Sequence, residues 1–209
     1  ALSADGNTLA VGGWGDPGNT GGANQVKIYR YASGSWNSTA EATLNGESSV
    51  DAFGRSVALS ADGNTLAVGA PGVDTNGNNK GRAYIFRYAD GSWDTVESST
   101  KLDGEGAVGL FGRSIALSAD GNILAAGANR YPNGTDTGRA YIFRYDEGSS
   151  SWNTTAEATF DGEAANDFFG TSVALSSDGN TLAVGANAHD TNGNNAGRAY
   201  VYRYANGAW

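Results

Sequence analysis

Two loops rich in Asp and Asn carry the residues best suited to chemistry in this sequence. The first is Asp74-Thr75-Asn76-Gly77-Asn78-Asn79, and the same six residue types return at positions 190–195. Oxygen-bearing side chains at alternate positions of a tight loop can converge on one Ca²⁺ ion. The pattern therefore suggests calcium as a cofactor, held by Asp74, Asn76, Asn78, Asp190, Asn192 and Asn194.

The same loops can also be interpreted as Asn/Gly turns that only connect two strands. Each has a single carboxylate, its glycine is misplaced for an EF-hand, and no bidentate Glu follows. The sequence leaves the turn and the calcium site open as alternatives.

Catalysis has little support in the residue types present. The chain has one histidine, His189, and no cysteine, so a triad with a second His or a Cys nucleophile cannot be assembled. A pair of carboxylates meeting in the fold is not excluded by sequence. We therefore expect a protein that is not an enzyme, and we assign no catalytic residue.

Four further positions are candidates for binding or modification. Trp14 lies in a glycine-rich loop that has no counterpart elsewhere in the chain, which makes it a ligand-binding candidate, because loops carry function more often than scaffold does. Asn37, Asn133 and Asn153 begin Asn-x-Ser/Thr sequons and are predicted glycosylation sites if the protein is secreted by a eukaryote.

All of these residues lie on a repeated unit. A segment of the form Leu-Ser-Ala-Asp-Gly-Asn begins at Leu2, Leu59, Leu117 and, slightly edited, Leu175, a spacing of 57 or 58 residues. A fixed period of this length indicates one supersecondary unit repeated along the chain. The approximate repeats are 1–50, 51–108, 109–166 and 167–209.

Each unit is predicted to be a four-stranded antiparallel meander. In the second copy, 51–59 and 65–70 alternate with the period of two that strands require, and an Asp-Gly turn joins them. A third strand follows at 81–88, and a weaker fourth strand runs from Trp93 to about residue 104. Asp51 and Asp167 are predicted to cap turns, with an acidic ring on one face as the alternative. The recurring arginines are predicted to be structural, bonding carbonyls or the Asp of a neighbouring blade; they are Arg30, Arg87, Arg144 and Arg203.

The two inner strands carry large side chains on one face and small ones on the other. A sheet with one face in water would show polar residues there. We therefore predict that both faces are covered and that the sheets stack around an axis. This is an all-β fold, a β-propeller of four-stranded antiparallel blades.

The motifs resemble the FG-GAP repeat, which forms the propeller of integrin α subunits. They are Phe53-Gly54, Gly69-Ala70-Pro71 and the strand 81–86, with Phe111-Gly112 and Phe169-Gly170 in later copies. The resemblance implies an extracellular or cell-surface module for adhesion or structure, commonly seven-bladed. The family places its calcium loop between the first two strands, where this chain has only a short Ser-Ala-Asp-Gly-Asn turn.

Composition limits the partners that we expect. The net charge of −9 disfavours nucleic acid, and no apolar run is long enough to cross a bilayer. We expect protein or glycan ligands bound by the loops at the rim of the propeller, or further copies of the chain. A calcium-assisted, lectin-like protein is the alternative.

The first and last copies lack strands that the other copies have, so the sequence does not decide how many blades the propeller contains. The first copy lacks a Phe-Gly strand and the fourth copy lacks a fourth strand. The four repeats could be part of a larger propeller, form a small imperfectly closed ring, or be completed by a neighbouring copy, because unpaired strand edges recruit other strands.

Overall fold

The computed structural model describes residues 1–13, 24–74, 79–190 and 195–209. Every regular secondary-structure element within these ranges is a β-strand, which confirms the all-β prediction. The strands form four consecutive antiparallel sheets, one for each copy of the repeat.

The bounds of the strands follow the repeat. The first sheet contains β1 (Thr8–Gly13), β2 (Gln25–Ala32), β3 (Ser35–Trp36) and β4 (Ala42–Asn45). The second contains β5 (Ser56–Leu59), β6 (Thr65–Ala70), β7 (Arg82–Ala89), β8 (Ser92–Trp93) and β9 (Thr100–Asp103). The third contains β10 (Ser114–Leu117), β11 (Ile123–Ala128), β12 (Arg139–Asp146), β13 (Ser151–Trp152) and β14 (Ala158–Asp161). The fourth contains β15 (Phe169–Leu175), β16 (Thr181–Ala186) and β17 (Arg198–Arg203).

Each of the first three sheets is a meander whose outer strand is broken in two. In the second sheet β6 pairs with β7 over its whole length, from Thr65 opposite Arg87 to Ala70 opposite Arg82. The predicted fourth strand is present as two pieces on the far side of β7, since β8 pairs with its end and β9 with its beginning.

The predicted first strand is shorter in the second copy than the sequence suggested. The alternation of large and small side chains predicted a strand that starts at Asp51, but β5 begins at Ser56. Ala52 and Gly54 have φ angles of 54° and 85°, in the left-handed region that an extended strand does not use. Phe53, held between these two residues, is instead fully buried among the aromatic rings of its own sheet.

Three apolar cores separate the four sheets. Between the second and third sheets, the small Ala67 and Ala83 belong to one core with the larger Leu124, Tyr141 and Phe143. The other two cores join the first sheet to the second and the third to the fourth in the same manner. The predicted packing of small residues against large ones is therefore confirmed.

The outer faces of the first and fourth sheets are exposed, unlike the faces between sheets. Every residue of β6 and β11 is buried, so the second and third sheets are covered on both faces as predicted. Val11 on the first sheet is 45 % exposed and Val201 on the fourth is 67 % exposed. The prediction was wrong for these two sheets, because each has a neighbouring sheet on one side and the two do not cover each other.

Candidate functional site

The recurring contacts of the molecule lie between neighbouring sheets. Each of the first three sheets extends an arginine over a tyrosine ring of the next sheet: Arg30 over Tyr88 at 4.5 Å, Arg87 over Tyr145 at 4.0 Å, and Arg144 over Tyr204 at 5.1 Å. A guanidinium over an aromatic face is attracted by the ring's quadrupole. These arginines were predicted to be structural, which their position at the interfaces supports.

Carboxylates hold two of these arginines from the same sheet. Arg30 Nε lies 3.0 Å from Glu41 Oε2, and Arg144 Nε lies 2.7 Å from Glu157 Oε2. The sequence interpretation had suggested a carbonyl or an Asp of a neighbouring blade as partner. The neighbouring blade instead supplies the tyrosine ring.

The backbone repeats its own contacts at every interface. The amide of Ala4 donates to Ala61 O at 3.0 Å, the amide of Ala61 to Ala119 O at 2.8 Å, and the amide of Ala119 to Ser177 O at 2.9 Å. These residues belong to the Asp-Gly turns, so each turn bonds to the next turn along the stack. Glycine makes a second contact, since Gly12, Gly69 and Gly127 each lie directly against a Phe-Gly glycine of the next sheet.

A carboxylate after the fourth strand joins each sheet to the next. Glu47 Oε2 accepts hydrogen bonds from Arg82 Nη1 at 2.8 Å and from the Tyr84 hydroxyl at 2.9 Å, and Lys101 donates to its other oxygen. Arg82 also donates to Asp103. The pairs Glu105–Arg139 and Glu163–Arg198 repeat this contact at 2.8 Å and 2.7 Å. We call these three contacts the carboxylate clips.

The charges of the clip act on the pKa values of its members. Burial alone would raise the pKa of Glu47, but hydrogen bonds from Lys101 and Tyr84 and the positive charges of Lys101 and Arg82 outweigh it and lower that pKa. Burial, assisted by the hydrogen bond to Glu47, raises the pKa of Tyr84. The clip is therefore an ionised carboxylate with a neutral phenol.

Sequence reasoning missed the clips, although a signal for them was present. A Gly-Glu pair recurs at Gly46-Glu47, Gly104-Glu105 and Gly162-Glu163, with the period of the repeat. Sequence alone could not identify the partner, because Arg82 lies 35 residues further along the chain.

A second buried polar group lies beside the last clip. His189, only 6 % exposed, lies with Nδ1 3.1 Å from Asp167 Oδ1 and Nε2 3.3 Å from Glu163 Oε2. Asp167 Oδ2 also accepts a hydrogen bond from the backbone amide of Ala164, which confirms its predicted role as a turn cap. His189 lies in the loop after β16, directly before Asp190, and its ring fills the space between the two carboxylates.

The carboxylates of the predicted calcium loops engage the backbone. Asp74 Oδ1 accepts a hydrogen bond from the amide of Asn79 at 3.2 Å, and Asp190 Oδ1 from the amide of Asn195 at 2.6 Å. This is how an Asp side chain closes a turn. Asn76, Asn78, Asn192 and Asn194 lie outside the described residues. Among the described residues, no group of three or more His, Asp or Glu side chains could hold a metal ion.

The other candidates differ in what the structure describes. Trp14 lies outside the described residues. Asn37, Asn133 and Asn153 are all exposed, so their side chains are accessible to modification. Their glycosylation stays a prediction.

Comparison with protein-family models matches residues 36–86 and 152–202 to the FG-GAP repeat. Each matched segment begins in the outer strand of one sheet and ends in the third strand of the next, so it encloses one interface with its clip. No match was found among curated proteins. In the described ranges, no helix has the length and apolar character needed to span a membrane.

Proposed function

This chain is an FG-GAP repeat protein, and from that premise we propose that it is a non-enzymatic extracellular module of adhesion or structure that docks onto further copies of itself. FG-GAP repeats are found in integrin-like modules of the adhesion type and are typical of cell-surface proteins. The observation that carries the proposal is that the two open faces of the stack hold complementary halves of its internal interface.

The open face of the fourth sheet corresponds to the face that each earlier sheet packs against the next sheet along the chain. Ala199 and Val201 stand where Ala83 and Ile85 fill a core, and both are exposed. Arg203 occupies the position of Arg87, which stacks on the tyrosine of the next sheet. Gly185 corresponds to Gly69, but a Cβ placed on it would meet only Ser172 of its own sheet.

The first sheet carries the receiving half. Tyr31, 42 % exposed, stands at the position of Tyr88, Tyr145 and Tyr204, the rings that receive an arginine. Val11 corresponds to the fully buried Val68. Lys27 replaces the buried Tyr84 and makes this face more polar than an internal one. We therefore expect a weaker contact than those within the chain.

Docking the fourth sheet of one copy on the first sheet of another brings Arg203 over Tyr31. The contact is head-to-tail, because the two surfaces are different patches of the molecule. Such a contact closes into a ring when the rotation allows and otherwise extends as a filament.

Sedimentation of the 209-residue chain over a range of concentrations tests the proposal. We expect concentration-dependent association that Val201→Asp abolishes, because a carboxylate would be buried unpaired in the apolar contact. Val50→Asp is the matched control, since Val50 is 61 % exposed and lies in the loop after β4, beside Gly72 of the second sheet. A wild-type chain that stays monomeric at every concentration, or equal loss of association in both variants, would reject the proposal.

A further inference from the structure

A cleft of about 260 Å³ opens at the loop rim between the third and fourth sheets. By the loop rim we mean the end of the stack that carries the Phe-Gly segments and the loops between second and third strands. Arg113 and Thr171, which follow the two Phe-Gly pairs, and Arg130 in the loop after β11 provide polar groups in its wall. The carboxylate clips do not contribute to this lining.

The arginines of this cleft are available for a ligand. In the described part of the chain, neither Arg113 nor Arg130 forms an ion pair, whereas Arg82, Arg139 and Arg198 all do. Burial lowers the pKa of the Arg113 guanidinium, and the positive charges of Arg55 and Arg130 lower it further. Two arginines thus line one cleft in a chain whose net charge is −9.

The floor of the cleft has an unpaired acceptor. Asn129 is 6 % exposed, and its Nδ2 donates to Thr171 Oγ1 at 3.3 Å. Its Oδ1 is buried and accepts no hydrogen bond from the described residues. A buried polar atom without a partner is unfavourable, so a ligand that brings an N–H group to this atom would be favoured.

Two apolar residues also line the cleft. Leu110 and Phe168 line it from two successive sheets, and both are half-buried. A ligand with a short hydrocarbon stem next to its charge would contact these two residues, which a bare inorganic anion cannot do.

Arg130 has no counterpart in the other described repeats. The equivalent positions are Gly72 in the second copy and Ala188 in the fourth. The position of Asn129 is likewise occupied by Pro71 in the second copy, although Asn187 keeps the amide in the fourth. A residue that breaks the repeat is not required by the packing that the repeats share, so its side chain is free to serve a ligand.

We propose that this cleft binds the carboxylate of an aspartate or glutamate residue in a partner protein. Arg113 and Arg130 hold the carboxylate, because the planar guanidinium fork matches its geometry. The backbone amide beside that residue donates to Asn129 Oδ1, and its methylene groups lie against Leu110 and Phe168. The inference rests on the proposed adhesive function and names the chemistry of the partner that the rim would take.

Titration of the ¹⁵N-labelled chain with N-acetyl-aspartate N-methylamide, followed by NMR, tests the inference. We expect saturable shifts at Arg113, Arg130 and Asn129, with at least tenfold weaker binding in Arg130→Gln. Lys80→Gln removes one positive charge from a residue outside the cleft lining and is expected to bind as the wild type does. Arg130 is exposed, so its replacement should leave the melting temperature unchanged.

Two further probes make the assignment of the ligand falsifiable. N-acetyl-asparagine N-methylamide lacks the charge, and sulfate lacks the stem and the amide, so both are expected to bind at least tenfold more weakly. Equal binding of either probe, or no saturable shift with the aspartate probe, overturns the inference. Association of copies, measured with Val201→Asp, does not involve the cleft, so the failure of one proposal can be distinguished from the failure of the other.

Discussion

Glu47 shows how a single side chain can join two sheets of this protein. Its two carboxylate oxygens receive an arginine, a tyrosine and a lysine of the second sheet, although Glu47 itself follows the outer strand of the first. A carboxylate is suited to this role because two oxygens can accept several charge-assisted hydrogen bonds at once. The repeated clips tie each outer strand to the sheet that follows it.

Replacing Glu47 with Gln should destabilise the chain by about 1 kcal/mol at neutral pH, a modest value because Glu47 is 37 % exposed and water screens the contact. The folded-state pKa of Glu47 is lowered, so its contribution is present above the ordinary pKa of 4.5 and is lost as the pH falls through the folded value. Urea unfolding at a series of pH values measures this. Glu147→Gln on an exposed turn is the control, and a difference that persists in strong acid would contradict the prediction.

At the scale of the element, the close approach of glycines sets how the sheets stack. Gly69 of β6 lies against the backbone of Gly112, so no side chain fits between the two backbones at this position. The positive φ of Gly112 lets the chain turn back at this point, just before β10 begins. The Phe-Gly motif thus combines a buried ring with a glycine that permits contact between backbones.

Two matched glycine variants test the importance of this approach. Gly69→Ala should cost about 3 kcal/mol, because its Cβ would collide with the backbone of Gly112. Gly185→Ala, at the same position of the fourth sheet, should change stability by less than about 1 kcal/mol, since no neighbouring sheet faces it. Both are measured by urea unfolding at low protein concentration. Equal losses in the two variants would show that the approach of the sheets is not responsible.

The loops between second and third strands carry the calcium prediction. Because Asp74 and Asp190 accept backbone amides of their own loops, we expect the turns to close without an ion. The melting temperature should therefore be the same in EDTA and in millimolar calcium. Asp74→Asn, which keeps an oxygen acceptor, serves as the control and should melt within a few degrees of the wild type. A rise of several degrees with calcium, absent in Asp74→Asn, would restore the metal site.

At the scale of the whole molecule, the chain is a stack in which, among the described residues, each apolar core joins two sheets that are neighbours in sequence. Stability in such arrays is close to a sum of terms for each unit and each interface. The second and third sheets have two interfaces each, while the first and fourth have one. The inner sheets should therefore be the most resistant to opening.

Amide hydrogen exchange followed by NMR measures that resistance directly. The strands β6 and β16 share the sequence TLAVGA, so their intrinsic exchange rates are nearly equal. We expect exchange at least tenfold faster in β16 than in β6, because β16 has one uncovered face. The measurement belongs at a concentration below that of any association. Equal protection in the two strands would mean that the stack opens as one unit.

The sequence by itself determined the repeat, the all-β class and the Asp-Gly turns. Period-two alternation and Asp-Gly turns are local properties, and they identified β6 without knowledge of its neighbours. The outer strand was predicted as one strand from Trp93 to about residue 104, and the structure divides it into β8 and β9. The family motif was also readable, because Phe53-Gly54 and its copies stand at fixed positions in the period. Contacts between residues far apart in sequence could not be predicted from the sequence. Examples are Glu47 with Arg82 and His189 with Asp167.

Only the tertiary structure decided which faces are covered. The strands β6 and β16 have identical sequences, but β6 is buried on both faces and β16 on only one. No local pattern can distinguish them, because burial depends on whether another sheet stands alongside. The same holds for the arginines, since Arg87 stacks on Tyr145 while Arg203, at the same place in its repeat, lies on an exposed face. The strands follow from short-range stereochemistry, whereas the burial of a sheet face follows from whether another sheet packs against it.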